Sequence, residues 1–339
     1  MPTKSVQGIS NKLKAEAKCL GFSACGVARA EIVGAGHVEA FRSWIDEEMN
    51  AGMKYMQNYE EIRLNPSKLL PKARSVISVA LSYFPGQVQD SSQPQFAFYA
   101  YGKDYHDVMR EKLRLLSEWL YGEICNGNDN CSPSEETVPA FRICVDTAPM
   151  LERYWAQQAG IGWIGRNHSL IIPNAGSFFF LGEIVTTIDF DSYDSPIPSH
   201  CGNCRKCLDA CPTKALADNL DARRCLSYLT IEHRGDFSEE MKQIISSSNS
   251  SLAQPCYIYG CDRCQLACPY NRYAVPTEVK EFQPSDRFLS MQSVDWKSLT
   301  RNQFLELFRD SAVKRVKYEG LLRNIKTVFP DSFPSINVQ

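Results

Sequence analysis

Nine of the chain's 14 cysteines fall between residues 201 and 269, and their spacing constrains the fold more than any other feature. The first run reads Cys201-Gly-Asn-Cys204-Arg-Lys-Cys207-Leu-Asp-Ala-Cys211-Pro212 and the second Cys261-Asp-Arg-Cys264-Gln-Leu-Ala-Cys268-Pro269. In a C-x2-C-x2-C-x3-C-P run, three thiolates wrap one 4Fe-4S cube and the fourth reaches a second cube, so the spacing implies two clusters. The second run lacks one leading cysteine, and Cys225 is its natural substitute. The expected ligand sets are Cys201, Cys204, Cys207 and Cys268 for one cluster, and Cys211, Cys225, Cys261 and Cys264 for the other, with Cys256 spare. Zinc knuckles need only four ligands and no proline after the last, and a disulfide framework belongs to secreted chains. Both fit this stretch poorly.

The 339 residues are enough for two or three domains, and 44% hydrophobic residues with a formal charge of −2 describe an ordinary soluble protein. The N-terminus has no apolar signal core and no apolar run nears the roughly 18 residues of a membrane span, so a cytoplasmic location and no membrane partner are expected. Cys19, Cys25, Cys125, Cys131 and Cys144 have no ligand spacing and read as small core residues.

Leu13, Ala17 and Leu20 predict a helix over 9–20 that Gly21 ends, and a second helix is expected over 41–48. The apolar, β-branched stretch 75–84 predicts a buried strand, and 86–95 a polar loop. Met109, Leu113, Leu116 and Leu120 share one face of a helix over 104–121. A loop follows at 126–133, and strands are expected at 142–145 and 178–190. Pro149 and Gly160 bracket a further helix. Ser246 to Ser251 reads as a low-complexity loop. From Ser298 on, two or three helices are expected to turn Leu305, Phe308, Leu321, Leu322 and Ile325 inward. This tail carries Arg309, Lys314, Arg315, Lys317, Arg323 and Lys326 against Asp310 and Glu319, which is either a solvated face or a phosphate-binding patch. Without a regular βαβ rhythm, the class is α+β.

Between the strands stands a second constellation, Asp146 in Val145-Asp-Thr-Ala-Pro149, then Gly160, Gly162 and Gly165 within six residues. Glycines there would let the backbone approach something flat or bulky, although such loops are common turns. An Asp before a helix is most often a cap, so Asp146 stays open between cap and acid.

Seven segments together resemble the epoxyqueuosine reductases: Tyr101–His106, Val145–Arg153, Ala159–Gly165, Gly176–Glu183, His200–Cys204, Arg224–His233 and Ile258–Pro269. They run in family order from about residue 10 to 325. The resemblance implies a nitroreductase-like cobalamin-binding domain over 1–195, a ferredoxin-like domain with two 4Fe-4S clusters over 196–285, and a C-terminal helical, HEAT-like segment over 286–339, short beside members with longer helical repeats. It implies reduction of epoxyqueuosine to queuosine in the anticodon loop of tRNA. Asp146 would be the proton donor against the corrin. Arg63, Gly165, Leu170, Ile172 and Leu181 would hold the corrin, and Ser227 and Tyr228 would bridge corrin and cluster. The implied partners are tRNA carrying epoxyqueuosine and an external low-potential electron donor, with the protein a monomer. A reductive dehalogenase would also pair cobalamin with two clusters, but has no use for a basic tail. A ferredoxin-type electron carrier would need only residues 201–269.

Overall fold

Ser75–Ser82 is buried along nearly its whole length, and a strand with apolar residues on both faces must be covered on both. It is the second strand of a four-stranded sheet in a computed structural model that describes residues 8–126, 138–249 and 255–330. The strands are β1 Ala24–Arg29, β2 Ser75–Ser82, β3 Gln95–Phe96, β4 Phe141–Cys144, β5 Trp163–Ile164, β6 Leu170–Ile171, β7 Phe179–Thr186 and β8 Tyr257–Tyr259. The main sheet has the order β1-β2-β7-β4, antiparallel throughout. One face packs on helices Ile9–Cys19 and Tyr105–Asn126, where Leu13, Ala17, Met109, Leu113, Leu116 and Leu120 are fully buried. The other face packs on helix Glu152–Gln158 and the β5–β6 hairpin. Helices and an antiparallel sheet in this arrangement make an α+β fold.

The first helix ends as the sequence requires. Gly21 takes φ +87°, Phe22 N–H donates to the Ala17 carbonyl at 3.0 Å, and Gly21 N–H donates to that of Lys18 at 2.9 Å.

The cysteine-rich lobe docks on the sheet at Gly176 and Ser177. Asn271 accepts from Ser177 N–H at 2.6 Å, and Gln265 donates to the Ser177 carbonyl at 3.0 Å. A Cβ on Gly176, whose φ is +89°, would stand 2.1 Å from the Asn271 side-chain oxygen. β8 pairs in parallel with β3, and the Phe96 ring lies 5.5 Å from Tyr259, 4.9 Å from Trp296 and 5.6 Å from Phe308. A single apolar core thus runs from the N-terminal helix through the cysteine lobe to helix Lys317–Val328.

Several expectations are corrected. The helix expected over 41–48 spans Ala35–Asp46; it buries no residue fully, so its first half shows no apolar stripe. The helix bracketed by Pro149 starts only at Glu152, because residues 145–149 bend and Asp146 stands at φ +53°. The strand expected to reach Phe190 ends at Thr186, where pairing to β2 and β4 stops, and Ile188 and Phe190 are buried as loop residues. Ser246 to Asn249 is the last turn of helix Glu239–Asn249, fixed by the buried Ile245 and by Arg263, which donates to the Ser248 carbonyl at 3.0 Å. Residues 250–254 lie outside the described residues, as do Cys131 and residues 127–133 of the expected loop. Leu305 is 57% exposed, because helix Arg301–Leu307 turns Phe304 inward instead, and Cys19 is exposed at the end of its helix. Among the described residues no helix is long and apolar enough to cross a membrane.

Candidate active site

The cysteines fall into two groups in space. Cys201, Cys204, Cys207 and Cys268 line one small cavity with Arg166, Asn167, Ile171 and Tyr270. Cys211, Cys225, Cys261 and Cys264 form the second group: Cys264 feels the charges of the other three. Cys256 stands beside Arg263 instead. Among the described residues no three His, Cys, Asp or Glu side chains converge on one ion position. A four-iron cube needs each thiolate on a different iron, and so needs its ligands apart. Burial pushes the Cys261 thiol up to about 12 and raises Cys264 as well, so a cluster taking these sulfurs as thiolates must displace protons.

The stretch after Cys225 leads to a second centre. Ser227 hydrogen-bonds the Cys225 sulfur and, at 3.5 Å, the Cys261 carbonyl. A single π-helical turn, Tyr228–Glu232, follows; such turns concentrate at functional sites. The buried Tyr228 hydroxyl accepts from Gly52 N–H at 2.8 Å, which ties this turn to the N-terminal part of the chain. Glu232 takes Arg315 in a two-pronged ion pair, and Arg315 in turn exerts its charge on Asp146 and Tyr55.

Asp146 is not a helix cap. The cap position of Glu152–Gln158 is Leu151, and Asp146 N–H donates back to the Glu152 carboxylate. Its Oδ2 lies 3.2 Å from His106 Nε2, and His106 Nδ1 lies 2.6 Å from Asp104 Oδ1. The Tyr105 ring stacks between His106, at 4.1 Å, and Phe180, at 4.2 Å, and its hydroxyl also donates to Asp146. Desolvation pushes the Asp146 carboxyl up, but His106, Arg315 and Tyr105 outweigh it and hold the group below its ordinary value. Desolvation is the largest single influence even with 53% of the side chain exposed, and the three partners together exceed it. Cationic and hydroxyl partners therefore favour the Asp146 carboxylate.

Beneath the loop lies a buried carboxyl pair that the sequence reading missed. Glu183 sits in mid-β7 opposite Ser78 and Cys144, is 0% exposed, and neither of its oxygens has a protein partner. Burial, then the charge of Glu152, raise it well above the ordinary range, and burial with the charge of Asp146 pushes Glu152 up to about 7. A lone Glu in an otherwise apolar strand was the available signal.

Of the other expected residues, Arg63 is buried, donates to the Tyr55 carbonyl at 3.3 Å and lies in the field of Glu152. Leu170 and Ile172 are buried with the half-buried Leu181 on the same face as Glu152–Gln158. The glycine-rich loop serves the fold itself: a Cβ on Gly162 would stand 2.2 Å from the Ile171 carbonyl oxygen inside the β5–β6 hairpin. A Cβ on Gly165 would likewise stand 2.4 Å from the Ile171 side chain, so both glycines are needed for this close packing. The basic tail is thinner than its composition suggests. Arg315 is paired with Glu232, and Arg323 lies 3.9 Å over Phe237 while donating to the carbonyls of His233 and Gly235. Lys314 and Lys317 are exposed.

Residues 63–147 match the family model described as Epoxyqueuosine reductase QueG, DUF1730, and residues 200–271 match a 4Fe-4S double cluster binding domain. The epoxyqueuosine reductase of Cellulophaga algicola is 38% identical over 318 residues, covering 93% of this chain and 96% of the relative. The chain belongs to the epoxyqueuosine reductase family. The Escherichia coli reductase is 33% identical over 94% of this chain and 79% of its own length. Among solved members, an epoxyqueuosine reductase with a tRNA-Tyr epoxyqueuosine-modified stem loop superposes with a TM-score of 0.78 at 28% identity, covering 95% of this chain and 81% of that one. The Bacillus subtilis reductase, with its catalytic Asp loop swung out of the active site, gives 0.79 at 27% identity over the same shares. The reductase fold and its double-cluster lobe thus frame the Asp146 site.

Proposed function

We propose that this chain reduces epoxyqueuosine to queuosine in the anticodon loop of tRNA, using cobalamin and two 4Fe-4S clusters. The observation that carries the reading is the continuity of one segment: Cys225 belongs to the second thiol group, Ser227 and Tyr228 follow it, and Glu232 anchors the arginine beside Asp146. An electron site and an acid site share that short stretch of backbone. The solved relative with an epoxyqueuosine-modified stem loop supports tRNA as the partner. An unpaired loop is also where a base leaves its stack at least cost.

Two groups of four thiols fit two cubes, with the ligand sets expected from the spacing. Support for the corrin comes from two unpartnered buried polar atoms, Arg63 Nε and His168 Nε2, and from the buried apolar Leu170 and Ile172. Arg63, Gly165, Leu170, Ile172, Leu181, Ser227 and Tyr228 would hold it. Cobalamin would supply the low-potential chemistry at the epoxide that no side chain provides. The chain's own part is to position the epoxide and to deliver a proton. As the C–O bond opens, the oxygen becomes basic, and Asp146 protonates it. The swung-out catalytic Asp loop of the Bacillus subtilis reductase supports a mobile role for the Asp146 segment, which here bends at positive φ.

We also assign residues 1–195 to a nitroreductase-like domain, 196–285 to the ferredoxin-like lobe and 286–339 to a HEAT-like segment, in a cytoplasmic monomer fed by an external low-potential donor. The test is the visible spectrum of anaerobically purified protein, followed by turnover of an epoxyqueuosine stem loop from chemically reduced enzyme. Corrin bands beside cluster absorption, with a product lighter by one oxygen, are expected. Clusters without corrin bands, and no product, would leave only an electron carrier.

A further inference from the structure

Asp146 faces a difficulty as an acid: its surroundings favour the carboxylate, yet the reaction needs a proton from it. We propose that His106 stores the proton that Asp146 delivers, and that Asp104 holds His106 in place for this. The inference rests on the reading of Asp146 as proton donor and names the residue that loads it.

The geometry carries the assignment. Both ring nitrogens of His106 face carboxylate oxygens, Nδ1 to Asp104 at 2.6 Å and Nε2 to Asp146 at 3.2 Å. A neutral imidazole has one N–H, so it would set one nitrogen lone pair against a carboxylate; the imidazolium donates to both. Asp104 is itself fixed, because its Oδ1 also accepts from His106 N–H at 3.1 Å and its own N–H donates to the Asp310 carbonyl at 2.6 Å. The Tyr105 ring stacked on the imidazole holds its plane.

The charged and titratable groups around the imidazole come from four segments. Asp104 and Tyr105 precede it, Asp146 lies on the neighbouring loop, Glu152 opens the next helix, and Arg315 and Lys314 belong to the C-terminal segment, where they act on Asp146 and Asp104. Desolvation lowers the imidazole, but the two aspartates outweigh it and push it up to about 9.

The proton balance closes on these groups. As the C–O bond breaks, its electron pair leaves with the oxygen, and the electrons come from the reduced cofactors. One proton passes from His106 Nε2 to Asp146 Oδ2 and from Asp146 to the oxygen. Asp146 is again a carboxylate, and the imidazole is left neutral with its Nδ1–H on Asp104. Solvent returns the proton to Nε2 and supplies the second one that water formation consumes. His106 is thus a positioning residue that acts through Asp146.

The experiment is an imidazole NMR titration of the oxidised holoenzyme, in which His106→Gln identifies the signal among the five histidines by its absence. The His106 signal is expected to titrate at least about one unit above the ordinary value near 6.5, and to move down in Asp104→Asn. The alkaline limb of the single-turnover pH profile should move down with it in the same variant. His106→Gln should lose turnover by about 10-fold or more while keeping clusters and tRNA affinity. A His106 titration at or below the ordinary value overturns the proposal, as does an alkaline limb that Asp104→Asn leaves in place. The NMR arm is independent of turnover, so an active Asp146→Asn enzyme would remove the donor reading without deciding where His106 titrates. Asp104→Asn, which keeps the Asx-type bond to His106 N–H, serves where the histidine variant fails to fold.

Discussion

Arg315 lays its guanidinium along the Glu232 carboxylate, with Nη2 2.7 Å from Oε2, and from there its charge reaches Asp146 and the Tyr55 ring. A basic residue in a lysine- and arginine-rich tail is thereby drawn into the candidate active site. Ion pairs of half-exposed groups contribute little stability, so its value lies in the field at Asp146.

Arg315 and its lysine neighbours should therefore separate in a salt titration. Replacing Lys314 and Lys317 by Ala is expected to weaken tRNA binding and flatten its salt dependence, by roughly one unit of slope per lost phosphate contact. Arg315→Ala should leave that slope alone and change the single-turnover rate and its pH dependence, because the field at Asp146 loses a cation. A slope reduced by Arg315→Ala and untouched by the lysines would reverse the assignment.

The thiol groups make a separate prediction. Cys225→Ser should lower iron content by about one cluster, since a cube left with three thiolates is labile. Cys256→Ser, whose thiol stands beside Arg263 rather than in either group, should leave iron unchanged. The opposite pattern in an iron assay would exchange their roles.

How much of this was legible in the sequence depends on how far apart the partners lie. The cysteine groups follow a covalent spacing, so local order along the chain reports them. Helix Tyr105–Asn126 was legible because four leucine and methionine residues repeat on one face. The link from His106 to Asp146 was not: the two are far apart in sequence, and Asp104-Tyr-His106 counted only as part of a family signature. From the residues alone Asp146 stayed open between cap and acid, because the bend that separates it from Glu152–Gln158 leaves no compositional trace. Ser246 to Asn249 read as loop from serine's preference for turns, which packing of Ile245 and the Arg263 bonds override. Arg315 was read as surface charge, since its partner Glu232 lies in another lobe.

Glu183 gives a prediction about stability and pH. Its pKa is raised by burial and by Glu152, so the folded state holds a proton that the unfolded chain releases near the ordinary value of 4.5. Stability from this group is full below that value and falls as pH rises toward the folded pKa. Glu183→Gln removes the titration while keeping the shape. Its unfolding midpoint should fall less than that of the parent between about pH 5 and 8, each unit of upward shift being worth about 1.4 kcal/mol. Parallel curves would place the Glu183 proton elsewhere.

The most direct test of the account is single turnover of the Asp146→Asn enzyme on an epoxyqueuosine stem loop, started from chemically reduced protein so that electron delivery does not limit the rate. Asn accepts the left-handed backbone at this position, so the variant should fold with both clusters, its corrin and normal tRNA affinity. It carries no carboxyl proton, and product formation should fall by at least about 100-fold. Turnover close to that of the parent would contradict the account and pass the proton to water or to Tyr105.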